Sequence, residues 1–263
     1  TGRQLELDGR FREAGLVAVL GIGSSPGKTN LMALRAAREL GVEALDAAHV
    51  SAAGRDLGPA PAGDDLVVPY ALRTLIDELT MRPVAVRNGE AIEIEPMTPG
   101  GEVDFGDPIG RGETIHTIHS ELRTFAQSFG CSEVSFRLSL PPALLERLRA
   151  LTGASDSEID DAARRARPPS GHTVSVHRVD AATGGHSAYV RAVTSPMTDW
   201  GFGGGVVSTA APAAATVRLI ARGRVEAVGA LPPERCLDPD DLFPELERRN
   251  CAFTVERTEA AAA

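Results

Sequence analysis

Lys28 is the only lysine in the chain; every other one of its 27 basic residues is arginine. A lysine offers what arginine does not, a compact ammonium that can give up its proton when water is withdrawn. It follows the glycine loop Gly21-Ile22-Gly23-Ser24-Ser25-Pro26-Gly27 and precedes Thr29 and Asn30. Lys28 is therefore a candidate general acid or base. A second group is Thr117, His119 and Glu121. If 114–121 is a strand, these three share one face and His116 points the other way, which argues against His116 and His119 as joint metal ligands. An imidazole beside a carboxylate is a proton-transfer pair. It is equally a pair that satisfies itself at a sheet end. Arg73, after the aromatic Tyr70, has the fork to clamp a substrate carboxylate, or is a solvated helix face. Trp200, the sole tryptophan, precedes the run Gly201 to Gly205, where it caps a pocket or packs in the core.

The loop itself reads three ways. As a nucleotide triphosphate loop its spacing fails, because Gly21 and Gly27 are separated by five residues where the pattern needs four. As a dinucleotide fingerprint, Gly21-x-Gly23 makes the tight turn and Asp46 stands at the end of a next strand, 42–45, to meet a ribose; the third glycine is one position late. In the third reading Pro26-Gly27 turns the chain, Thr29 or Asn30 caps the helix, and free amides with Lys28 face a substrate carboxylate. Exchange of Lys28 for arginine is then expected to preserve folding and to cut turnover by orders of magnitude.

These residues need elements to hold them. Periodicity predicts a helical lead-in near 5–14, a strand at 16–20, and a helix over 29–40 closed by Gly41. The Ala/Gly/Pro-rich stretch 51–65 reads as a connector. A helix over 69–79 follows, then a hairpin over 83–96 about Asn88-Gly89. Strands are expected at 114–121, 134–140, 172–179 and 188–193, with helices opened by Pro141-Pro142 and spanning 155–167. A flexible loop at 201–205 leads to a helix over 209–222, then a helix over 238–249 and a strand over 251–256. With 263 residues, 43% hydrophobic and 24% charged, the chain can bury a sizeable core. Its net charge of −9 argues against a general nucleic-acid or anionic-membrane binder. Cys131, Cys236 and Cys251 have no paired spacing, which fits a reducing cytoplasm and no metal knuckle. No apolar run approaches the ~18 residues of a membrane span.

The loop Gly21-x-Gly23-x-x-Pro26-Gly27-x-Thr29-Asn30 resembles that of the saccharopine dehydrogenase (saccharopine reductase) family, G-x-G-x-x-P-G-x-T-N. Further similarities follow in order: Thr74 with Asp77-Glu78 to T-x-x-D-E, His119-Ser120-Glu121 with Thr124 to H-S-E-x-x-T, and Pro233-Glu234 with Leu237-Asp238-Pro239 to P-E-x-x-L-D-P. The family's T-G-x-P turn stands here as Thr209-Ala210-Ala211-Pro212, without the glycine. The resemblance implies an α/β fold, with terminal elements of a Rossmann-like domain at 1–50, a mixed-sheet substrate and dimerisation domain at 66–200, a return to the first domain at 201–257, and a disordered tail at 258–263.

It also implies an NAD- or NADP-dependent oxidoreductase acting on a C–N bond of an amino-acid-derived secondary amine or imine, working as a homodimer. Gly23, Pro26, Gly27, Thr29 and Asn30 would lie by the cofactor; Lys28 and His119 would be catalytic; Arg73, Thr74, Glu78, Glu121 and Trp200 would hold substrate. Family members carry about a hundred residues ahead of this loop, the size of one domain. The chain is thus expected to be the substrate half of such an enzyme: a truncated or cleaved product, one half of a split enzyme completed by a partner chain, or a relic that no longer uses a nucleotide. Two other classes are a non-catalytic amino-acid-binding or dimerising regulatory subunit, and a hydrolase using Thr1 as nucleophile.

Overall fold

The computed structural model describes residues 2–59 and 66–259. Thr1 and residues 260–263 lie outside them, as does the part of the expected connector at 60–65. The chain runs α1 (Gly2–Leu5), α2 (Asp8–Glu13), β1 (Val17–Val19), α3 (Lys28–Leu40), β2 (Ala47–Asp56), α4 (Leu72–Thr80), β3 (Val84–Arg87), β4 (Glu90–Glu93), β5 (Pro99–Asp104) and β6 (Arg111–His116). It continues α5 (Glu121–Phe129), β7 (Glu133–Ser139), α6 (Pro142–Leu151), α7 (Asp156–Arg165), β8 (Thr173–Thr183), β9 (His186–Thr194), α8 (Gly204–Ala221), β10 (Gly229–Leu231), α9 (Pro239–Glu247) and β11 (Cys251–Glu259).

The result is a mixed α/β structure. The large sheet has the order β11-β9-β8-β2-β7-β3-β4, with β6 also on β7 and β5 on β6. Central β2 pairs parallel with β7 and antiparallel with β8. A separate parallel pair, β1 with β10, joins the two ends of the chain. One face of the sheet is covered by α3, α5, α8 and α9, and the main core there runs from Leu31 and Met32 through Val50, Phe136 and Val190 to Leu246.

Local chemistry sets several boundaries as the sequence predicts. Gly41 ends α3 in the left-handed conformation (φ 72°). Asn88 (φ 50°) and Gly89 (φ 79°) turn β3 into β4. Ser155 caps α7 reciprocally with Glu158.

Other expectations give way to packing. No strand forms at 42–45; the strand begins at Ala47 and runs through Ser51 to Asp56, half across the stretch expected as a connector. Its small residues lack intrinsic strand propensity, but hydrogen bonding on both edges and burial override that preference. It also straddles position 50, where the first expected domain ends. The expected strand 114–121 stops at His116, and Glu121 opens a helix. Residues 201–205 are not a flexible loop, because α8 already begins at Gly204. A Cβ there would stand 2.1 Å from the Thr194 carbonyl oxygen, so glycine lets the helix start press against β8 and β9. β11 extends to Glu259 on β9, into the expected tail. Contrary to the composition reading, α8 has the length and mean hydropathy, 1.3, of a membrane span, although it packs on α9, β8 and β9 along one face.

Candidate functional site

The N-terminus of α3 lies over the ends of β8 and β9, beside the C-terminal ends of the parallel pair β2 and β7. The glycine loop that delivers it is closed on itself. Gly27 adopts φ 125°, and a Cβ on it would fall 2.3 Å from the nitrogen of Gly23. The Gly23 amide donates to the Pro26 carbonyl at 2.8 Å, the Lys28 amide to Gly23 at 2.9 Å, and the Thr29 amide to Ser24 at 3.2 Å. The Gly27 amide donates to Asn30 Oδ1 at 2.8 Å, the side-chain half of a capping box. The amides expected to face a ligand are thus spent within the loop, which overturns the carboxylate-binding reading of the helix start. They are equally unavailable to a pyrophosphate. Asp46 lies beyond the other end of α3 and accepts the Gly184 amide at 2.8 Å, so it is no ribose ligand of this loop. The helix-start amides and Asp46 thus offer no dinucleotide contact at this point.

Three side chains from the start of α3 reach three different parts of the chain. Lys28 is fully buried, and its Nζ donates to Ser208 Oγ at 2.7 Å and Thr194 Oγ1 at 3.2 Å. Thr194 in turn donates to Cys251 Sγ. No carboxylate is among these partners, and burial pushes the Lys28 ammonium below its ordinary pKa. Thr29 Oγ1 donates at 2.7 Å to Glu121 Oε1, which also accepts from Ser25 Oγ. Asn30 Nδ2 donates to Glu234 Oε2 at 2.8 Å, while Ser128 holds the other oxygen of that carboxylate at 2.8 Å. Burial raises the pKa of Glu234.

Glu121 is 0% exposed, yet its Oε2 has no hydrogen-bond partner among the described residues; His119 Nδ1 stands 3.7 Å away. Burial opposes its charge, but His119 and the two hydroxyl donors outweigh it and the carboxyl pKa falls. The expected pair therefore forms, though by a strand-end turn into α5 rather than along one strand. His119 stacks on Phe136 at 3.5 Å between centroids and keeps 16% of its side chain exposed. It is the member of the dyad that can meet a ligand. His177, on the same sheet face, is buried with Nδ1 unpartnered, and its pKa lies well below 6.5 because of burial and the positive charges of Lys28 and His119.

The remaining predicted residues lie elsewhere. Gly23, Pro26 and Gly27 shape the loop. Arg73 is at the surface, held by Asp156 at 3.0 Å and Asp160 at 2.6 Å. Thr74 is exposed beside it, and Trp200 is 62% exposed rather than packed. Arg73 and Tyr70 line a cleft of about 590 Å³ with Pro168, Pro169, Phe202 and Val206. Glu78 lies between these groups: it accepts from the Tyr70 hydroxyl, burial raises its pKa, and the charge of His119 tempers that rise. Sequence reasoning missed Thr194, Ser208, His177 and Ser128, whose types are common and which lie more than 85 residues beyond α3. Only Glu234 carried a signal, in Pro232-Pro233-Glu234.

Buried neutral imidazoles give a pH prediction. Burial, then Arg137 and Arg87, lowers the pKa of His49 to about 4, and burial likewise carries that of His177 well below 6.5. Unfolded imidazoles take up protons near pH 6.5, so the native state is favoured above that pH and loses stability as pH falls toward 4. Each ring contributes up to about 1.4 kcal/mol per pH unit in that window. Urea midpoints should drop accordingly between pH 6.5 and 4.5, and His49→Gln should reduce the slope; an unchanged slope would mean that ring titrates normally.

The layers around the site define a class of fold: a mixed α/β architecture shared with a solved saccharopine dehydrogenase. In particular, the chain is similar in structure to apo histidine-tagged saccharopine dehydrogenase (L-Glu forming) from Saccharomyces cerevisiae, with a TM-score of 0.67 over 96% of this chain and 76% of that one. Identity between the two is 12%, so the likeness is one of fold. No protein-family model and no curated protein matches the sequence.

Proposed function

We propose that this chain is the substrate-binding half of an NAD- or NADP-dependent oxidoreductase that acts on a C–N bond of an amino-acid-derived secondary amine or imine. The observation that carries the reading is the His119–Glu121 dyad, set beside the C-terminal ends of parallel strands β2 and β7, where open α/β sheets bind ligands, within a fold shared with saccharopine dehydrogenase. His119 exchanges a proton with the substrate nitrogen, and Glu121 orients the ring and stabilises its charged form. Lys28 touches no substrate in this scheme and acts as a positioning residue, because no part of it is exposed. Arg73 anchors a substrate carboxylate at the mouth of the 590 Å³ cleft, after exchanging one of its two surface carboxylates for the ligand's. In this reading β1 and β10 are the terminal strands of the nucleotide-binding domain, and the active assembly is a homodimer.

The spent amides of the glycine loop favour a second reading, a non-catalytic amino-acid-binding subunit. Calorimetric titration with saccharopine, glutamate and lysine, and separately with NADPH and NADH, tests both. Binding of an amino acid that His119→Ala weakens, without binding of nucleotide, is the expected result. Micromolar nucleotide binding by the chain alone would overturn the half-enzyme account, and hydride transfer on adding a nucleotide-binding partner would dismiss the non-catalytic one.

A further inference from the structure

The sheet face turned away from α3 concentrates arginine in a protein of net charge −9. Strand register sets His116, Arg137, Ser51, Arg178 and Arg191 side by side across β6, β7, β2, β8 and β9. The neighbouring carboxylates are engaged elsewhere. Asp180 accepts from Arg178 Nε at 2.8 Å, and Glu133 holds Arg87 at 2.9 Å and the Asn88 amide at 2.7 Å. Arg178 and Arg191 each donate to a backbone carbonyl, of Asp104 and Phe105, at 3.1 Å.

Arg137 is left over. Its contacts are a 3.5 Å hydrogen bond to the Gly100 carbonyl and a 3.9 Å approach to Asp180. Its Nε is buried without an acceptor among the described residues, and the hydroxyl of Ser51, a residue 0% exposed, is likewise without a partner there. The guanidinium is nevertheless fixed, because the chain at Gly100 crosses its stem so closely that a Cβ would stand 3.0 Å from both Cγ and Cδ. His49 and His116, held neutral first by burial and then by the charges of Arg87 and Arg137, supply no competing anion.

We propose that Arg137, with Ser51 and His49 beside it, binds a small oxyanion, a carboxylate or phosphate group, on this face of the sheet. A planar guanidinium fork matches either group through two parallel hydrogen bonds. The 18% of the Arg137 side chain that is exposed gives a ligand access. This site is distinct from the His119–Glu121 dyad, which lies on the opposite face, and does not depend on the oxidoreductase reading.

The test is calorimetric titration of the full chain with inorganic phosphate and, separately, with L-glutamate, alongside the imidazole NMR signals of His49 and His116. At least one anion is expected to bind, to move both sets of signals and to raise their titration midpoints. Arg137→Gln should weaken that affinity by about tenfold or more, as expected for loss of a charge-assisted bidentate contact. Arg137→Lys keeps the charge but loses the fork, and should weaken binding severalfold even if the glutamine variant fails to fold. Binding of phosphate alone, or of glutamate alone, assigns the group. The proposal is overturned if neither anion moves the signals at tens of millimolar, or if both folded variants bind like the parent. It also falls if sedimentation shows a dimer that Arg137→Lys dissociates, since the acceptor is then a carboxylate of a second copy.

Discussion

Lys28→Met is expected to give a protein at least as stable as the parent, whereas Lys28→Arg is destabilised by about 3–5 kcal/mol, the cost of a buried charge without a partner. The side chain is wholly enclosed, and its only hydrogen-bond acceptors among the described residues are the hydroxyls of Thr194 and Ser208. An ammonium there can shed its proton; a guanidinium cannot, and it is larger. The structure therefore reverses the expectation that arginine preserves folding. Methionine fills a similar volume without a charge and loses two hydrogen bonds, worth about 1 kcal/mol each, against the desolvation it avoids.

A titration distinguishes this account from a simple packing effect. The folded amine has its pKa below the ordinary 10.5, so the unfolded chain binds the extra proton, and native stability rises as pH climbs from the folded value to 10.5. That rise should be present in the parent and flat in Lys28→Met, measured by urea unfolding between pH 7 and 10. A Lys28→Arg protein as stable as the parent would show that the pocket opens to water.

Gly27→Ala is the second large expected loss, about 3–4 kcal/mol, from combined backbone strain and collision. Its φ of 125° is one that L side chains rarely adopt, and the new Cβ would meet the nitrogen of Gly23 at 2.3 Å and its oxygen at 2.4 Å. Those are backbone atoms, which cannot rotate away. Opening the loop would also release the Asn30 cap and hence the tie to Glu234. Gly41→Ala is the matched control: φ is 72°, but no atom lies within 4 Å of a Cβ, so its cost should be only about 1–2 kcal/mol. Equal losses in thermal or urea unfolding would mean that the loop is not closed as described.

The sequence exposes features that act locally. Gly41 and Asn88-Gly89 specify positive φ, Ser155 with Glu158 specifies a cap, and the alternation in 134–140 and 188–193 specifies strands. Features that depend on distant contacts were hidden. β2 looks like a connector because alanine and glycine carry no strand preference; only the strands on either side reveal why small residues suit it. Gly203 and Gly204 look like flexibility and are instead close packing against Thr173 and Thr194. The dyad of His119 and Glu121 was visible as residue types, but it is assembled by a turn into a helix. Lys28 stood out by rarity, while nothing in its own neighbourhood indicated that its surroundings would be hydroxyls and a thiol.

The partners of Lys28 lie 166 and 180 residues further along the chain, and Cys251 further still. On a ribosome, the helix that carries this lysine emerges long before anything that will enclose it, so the nascent amine remains hydrated and charged through most of synthesis. Dehydration must await β9, α8 and β11, a closure of high contact order and correspondingly slow. Dehydration of this amine, which weakens its hold on the proton, is thus one of the last events of this protein's maturation, and a chain released early would still hold it exposed to water, as the mark of an unfinished fold.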